Sequence, residues 1–153
     1  MPVHVEVVSQ EEKLFEEKAA DIVLVPGSEG MLGILPNHTP LITTMAYGEL
    51  VIRKGAAEER FAIYGGVLEV RPDKVMVLAD AADFADRINL QEAEEARARI
   101  QKLLAEGVPP DEEAFIAAEL KRAELAINIS RRTQSRAGSM GIRVVREPAN
   151  EQD

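Results

Sequence analysis

Residues Gly65–Leu104 read GGVLEVRPDKVMVLADAADFADRINLQEAEEARARIQKLL, and within them the hydrophobic pattern changes once. Two short apolar runs, Leu68–Val70 and Val75–Ala79, flank Arg71-Pro72-Asp73-Lys74. Proline presets φ at one turn position and aspartate can hydrogen-bond the backbone that follows, so this segment predicts a β-hairpin. Beyond Asp86 the spacing becomes helical, with Ile88, Ala93, Ala96, Ile100, Leu103 and Leu104 on one stripe. Asn89 followed by Glu92 has the form of a capping box, in which the amide accepts from first-turn N–H groups and the glutamate reaches back. The change near Asp86 divides the chain into a strand-forming part, 1–86, a helical part, 87–136, and a Gly/Ser-broken tail, 137–153.

Upstream of the hairpin, Val3, Val5 and Val7 alternate with His4 and Glu6, the period of a strand with one buried face. Short apolar runs follow at Ala20–Val25, Gly33–Leu35, Leu41–Met45, Leu50–Ile52 and Arg60–Ile63, with turn signals at Pro26-Gly27, Lys54-Gly55 and Gly65-Gly66. Many short strands at close spacing predict an antiparallel sandwich or barrel. Downstream, Gly107 and Pro109-Pro110 stop the first helix. Asp111, Glu112 and Glu113 open a second, where acids suit the positive helix N-terminus. The expected architecture is an all-β sandwich domain followed by an antiparallel α-helical hairpin, α+β overall.

Composition narrows the function. The 153 residues carry a net charge of −9. Residues 1–86 hold 7 Lys/Arg against 15 Asp/Glu, whereas residues 87–153 hold 11 against 12, so the excess of acid is confined to the strand-forming part. An acidic sandwich lacks the basic footprint that nucleic acid requires. The absence of cysteine excludes disulfides, thiol catalysis and thiolate-bound metal. No apolar run approaches the ~20 residues that span a bilayer, so membrane association is expected through a partner and not by direct insertion. With aromatics at 4%, the core is expected to be built from Val, Ile, Leu and Ala.

Four ordered stretches carry a family resemblance. They are Gly27-Ser28-Glu29-Gly30-Met31-Leu32-Gly33-Ile34-Leu35-Pro36-Asn37-His38-Thr39-Pro40, then Gly48-Glu49-Leu50, Gly65-Gly66-Val67-Leu68-Glu69-Val70, and Val77-Leu78-Ala79-Asp80 before the helices. From about Val3 to Arg132 the chain resembles the epsilon subunits of rotary, proton-translocating ATP synthases (bacterial and chloroplast epsilon, mitochondrial delta). The resemblance implies a sandwich of roughly ten strands and a place on the central stalk, between the gamma subunit and the membrane c ring. It implies a peripheral location on the cytoplasmic face of the cell membrane, or at an organelle inner membrane, and no catalysis or cofactor of the chain's own.

Under this resemblance Glu29, Met31, Leu32, Ile34, Leu35, Pro36 and His38 form the surface that docks on gamma and the ring. Glycines let the backbone approach a neighbour closely, and the prolines reduce the order lost on binding. The plainer reading is a tight corner of the sandwich. Many relatives carry Glu where Met31 stands, which removes one charge contact. His38 reads as hydrogen-bonded or interfacial; with His4 the only other histidine and no acidic cluster expected beside it, no metal site is expected. Glu11-Glu12 and Glu16-Glu17 read as solvated surface, since neighbours along a strand point apart.

Several family members open the first helix with Ile/Leu-Asp-x-x-Arg-Ala, which helps to bind ATP. The matching positions are Ile88, Asn89, Glu92 and Ala93. Glutamate in place of arginine repels phosphate, so nucleotide binding is expected to be weak or absent. The second helix carries Lys121, Arg122, Arg131, Arg132 and Arg136 against only Glu119 and Glu124 in residues 119–136. A helix from Asp111 to Arg136 would extend roughly 39 Å. Under the resemblance it swings up along gamma, so that its bases meet the catalytic beta subunits and oppose ATP hydrolysis. Two other classes remain open: an adaptor of another complex, identified by its partner, and a small sandwich hydrolase using paired carboxylates, identified by turnover.

Overall fold

The computed structural model describes residues 2–135. Eight strands come first: β1 (Val3–Val8), β2 (Lys13–Ala20), β3 (Ile22–Gly27), β4 (Gly30–Ile34), β5 (Leu41–Lys54), β6 (Ala57–Val70), β7 (Val75–Ala79) and β8 (Ala82–Phe84). They hydrogen-bond in the order β2-β1-β7-β6-β5-β3-β4, with β8 also on β6. All pairings are antiparallel except β1 with β7. The sheet folds back on itself, because β2 packs against β5 and β1 against β3 without pairing to them. Between the layers lie the inward residues of every strand, among them Val5, Val7, Val23, Leu50, Ile52, Ile63, Leu68 and Val77.

The expected sandwich is present, with eight strands among the described residues where roughly ten were expected. Leu41–Met45 and Leu50–Ile52 belong to one strand of 14 residues, and Arg60–Ile63 and Leu68–Val70 to another of 14. The Gly65-Gly66 pair is therefore no turn. It lies inside β6 with φ of 86° and 134°, and a Cβ on Gly66 would sit 2.2 Å from the Leu78 carbonyl oxygen. Glycine is there for close approach of a neighbouring strand. Pro26-Gly27 likewise ends β3, and the chain reverses one step later at Ser28-Glu29. Two turn signals do mark turns. Gly55-Ala56 joins β5 to β6, with Gly55 at φ 59°, and Arg71 N–H donates to the Lys74 carbonyl at 2.8 Å. Strand β2 had no apolar run to announce it. The expected Ala20–Val25 run is cut at Asp21 into the end of β2 and most of β3.

Three of the four phenylalanines correct the expectation of an aliphatic core. Phe15, Phe61 and Phe84 are buried, with ring centroids 5.5 Å apart for Phe15–Phe61 and 4.7 Å for Phe61–Phe84. Few aromatics suffice when they cluster, since each buries a large apolar area.

The chain forms two compact units, the first reaching Phe84 and the second beginning at Ala85. The second holds a 3₁₀ turn (Ala85–Arg87), α1 (Leu90–Glu106) and α2 (Glu113–Ser135). Asn89 caps α1 by accepting from the Glu92 N–H at 3.0 Å, and Gly107 ends it at φ 96°. No residue of α1 is fully buried. On α2, Ala123, Ala126, Ile127, Ile129 and Ser130 are buried. The expected stripe of small residues holds only in part, because Ala114 and Ala117 are exposed, Ala118 is half-buried and Ala126 is buried.

Candidate functional site

The corner between β3 and β5 is built by three local devices. Gly27 pairs with Gly30 across the Ser28-Glu29 turn, where a Cβ on Gly27 would lie 2.7 Å from the Gly30 carbonyl. Ser28 anchors that turn to β5: its N–H donates to the Thr44 carbonyl at 3.1 Å, and the Thr44 hydroxyl donates to Ser28 Oγ at 2.8 Å. Then Leu35-Pro36-Asn37-His38 closes with the His38 N–H donating to the Leu35 carbonyl at 3.2 Å. Asn37 sits at φ 66°, so the turn has proline at its second position and a left-handed asparagine at its third. That is type II geometry, which proline and asparagine favour. A ring N–H at His38 Nδ1 donates to the Thr39 carbonyl at 2.7 Å.

The predicted docking residues divide between two places on this corner. Glu29, Met31 and Leu32 border a depression of about 200 Å³, which Leu41 and Thr43 complete. Leu35, Pro36 and His38 line a smaller cleft with His4 and the Arg71–Lys74 turn. Met31 is 60% exposed and Leu35 56%, and Ile42, which the sequence did not single out, is 71% exposed. Ile34 is a correction. It is 1% exposed and belongs to the core, because the alternation along β4 turns it inward. It supports the corner from within and reaches the surface only at the floor of the smaller cleft.

Acidic residues gather beside the other histidine, His4. His4 and Glu6 share a face of β1, and Glu16 is the cross-strand partner of Glu6. His4 Nε2 lies 2.6 Å from Glu16 Oε2 and 3.9 Å from Glu6 Oε2. The arrangement has the makings of a cation site, but its carboxylates already face lysines: Lys74 is 2.9 Å from Glu6, and Lys13 is 3.1 Å from Glu16. Hydrogen bonds from His4 and then Lys13 hold the Glu16 carboxyl down to about 2. Glu17, read as solvated, is buried; it accepts from the Ala19 N–H at 3.0 Å and pairs with Lys54 at 3.1 Å.

In the helical unit, Ile88 and Ala93 are half-buried, while Asn89 and Glu92 are exposed. The Asn89 side-chain oxygen is engaged by the helix it caps. Lys121, Arg122, Arg131 and Arg132 are exposed on α2, and Arg136 lies outside the described residues. Arg131 Nη2 donates to Glu94 Oε2 of α1 at 2.7 Å. Among the described residues, no helix is long and apolar enough to cross a membrane.

A family model for the β-sandwich domain of the ATP synthase delta/epsilon chain matches residues 2–85. ATP synthase epsilon chains are similar over most of their length. That of Dehalococcoides mccartyi is 40% identical, over 82% of this chain and 89% of the relative. That of Herpetosiphon aurantiacus is 35% identical, over 89% and 99%. Among solved structures, a chain of the Euglena gracilis mitochondrial ATP synthase (OSCP/F1/c-ring) superposes with a TM-score of 0.63 at 20% identity, covering 89% of this chain and 81% of that one. A chain of the Tetrahymena thermophila mitochondrial ATP synthase central stalk and c-ring gives 0.63 at 12%, covering 85% and 97%.

Proposed function

Since the chain belongs to the ATP synthase delta/epsilon family, we propose that it is the epsilon subunit of a rotary, proton-driven ATP synthase, a non-catalytic part of the central stalk. In this role the sandwich joins gamma to the c ring, and the helical hairpin opposes ATP hydrolysis when it extends. The observation that carries the docking role is the corner itself. Apolar side chains at Met31, Leu35 and Ile42 are exposed on a backbone held by the Ser28–Thr44 bonds and the Pro36-Asn37 turn. A loop already fixed in shape loses little further freedom on binding, which suits a joint that must transmit torque. The neighbours in known complexes agree with this placement, being parts of assemblies that include a c ring. The location follows from the role: peripheral, on the cytoplasmic face of the cell membrane or at an organelle inner membrane.

For the hairpin, exposed Lys121, Arg122, Arg131 and Arg132 on α2 provide a basic face for acidic segments of the catalytic beta subunits. At α1, the Asn89 cap and the glutamate at position 92 favour weak nucleotide binding or none, leaving the proton-motive force or the state of the catalytic head as the switch. The test has two parts. A tagged copy should recover gamma and the ring from membrane extracts; recovery of an unrelated assembly would favour the adaptor alternative. A chain ending after Asp86, assembled into the enzyme, should raise ATP hydrolysis, and unchanged hydrolysis would remove the brake.

A further inference from the structure

We propose that Glu94 is an internal competitor for the brake: it engages the Arg131 guanidinium across the mouth of the closed hairpin, and parting of the two helices releases that guanidinium to pair with the catalytic head. This rests on the brake reading above and adds its control element. Arg131 Nη2 and Glu94 Oε2 are 2.7 Å apart, joining the penultimate turns of α2 to the start of α1. The pair therefore closes the mouth of the hairpin, at the end away from the Gly107–Pro110 connection, where opening must separate the helices.

The packing gives one ion pair unusual leverage. No side chain of α1 is fully buried, and Leu103, Leu104 and Phe115, near the connection, are 46%, 37% and 68% exposed. On this proposal the open and closed forms lie close in free energy, since α1 contributes only half-buried side chains and full burial in the hairpin is confined to α2, at Ala123, Ala126, Ile127, Ile129 and Ser130. A contact of ordinary surface strength can then shift their populations severalfold. Both partners are well exposed, at 54% for Arg131 and 41% for Glu94, so salt reaches and screens them. One guanidinium cannot serve two carboxylates at separate places. Grip on the head and closure of the hairpin thus compete through Arg131, and the competition sets how readily the brake engages.

The chain has no cysteine, so Ala98→Cys on α1 and Asn128→Cys on α2, both exposed, allow paired spin labels on the full chain. In this background Glu94→Gln should raise the ratio of long to short label distances about two- to fivefold. Glu94→Lys, with like charges facing, should raise it further. Molar salt should open the parent and have little effect on Glu94→Gln, and the swap Glu94→Arg with Arg131→Glu should restore the parent distribution. In the assembled enzyme, the single substitutions should move ATP hydrolysis in opposite directions, Glu94→Gln slowing it and Arg131→Gln speeding it. Unchanged label distances in both Glu94 variants would overturn the clasp while leaving the brake reading intact. Distances that shift while hydrolysis stays constant would overturn the competition, and the chain ending after Asp86 then reports separately whether any brake exists.

Discussion

Ile34 and Leu35 stand side by side in the sequence and do opposite work. The first is sealed in the core, and the second is 56% exposed beside the Pro36 turn. Ile34→Ala should lower stability by about 2–4 kcal/mol in urea unfolding, through lost burial and the cavity left behind. Leu35→Ala should leave the urea midpoint nearly unchanged and weaken capture of gamma and the ring; a Leu35→Ala chain recovering both as well as the parent would exclude the residue from the interface. Sequence alone grouped the two, because a single loop motif holds both and only the register of β4 against β3 separates them. Glu16 is a second case. Its folded pKa of about 2, against an ordinary 4.5, means that pairing with His4 and Lys13 adds stability above pH 4.5 and loses it as pH falls toward 2. For a half-buried site that solvent still reaches, the contribution is about 1 kcal/mol after screening. Glu16→Gln should remove that part of the acid dependence, read as the difference in unfolding free energy between pH 6 and pH 3. Nothing in the local sequence announced the pair, since its members lie 12 residues apart and meet only through the β1–β2 pairing.

Legibility at the scale of elements followed how local each determinant is. The start of α1 was readable because a cap acts within one turn, and Asn89 does accept from the Glu92 N–H. Asn89→Ala should cost about 1 kcal/mol of helical stability, seen by circular dichroism, and titration of the parent with ATP should give no binding in the micromolar range. Micromolar binding by the parent would mean that Glu92 does not repel the phosphates as argued. The Arg71–Lys74 turn was readable for the same local reason. Gly65-Gly66 was misread because the need it meets lies on another strand, at the backbone of Leu78. Strand β2 escaped notice because charged residues fill its middle on both faces, Glu16 partnered by His4 and Lys13 and Glu17 by Lys54, and not by apolar neighbours.

For the whole molecule, the division after Phe84 has a direct consequence. The core cluster lies entirely within β1–β8, so a chain ending after Asp86 should unfold in one cooperative transition and still capture gamma. A fragment that stayed unfolded would mean that the helices are needed to complete the sandwich. The order of period-2 and period-3.6 segments, the turn at Arg71–Lys74, the cap at Asn89 and the excess of acid before residue 87 were all set by the sequence itself. They identified a sandwich followed by a hairpin, and the four ordered motifs pointed to the family. These features are local, and their physics acts within a few residues. The tertiary structure alone decided that two long strands replace four short ones, that three phenylalanines meet in one core, that Ile34 turns inward while Met31 and Leu35 face out, and that Arg131 reaches Glu94. Each depends on register or packing between segments far apart in the chain, where one residue's shift reverses which face is buried.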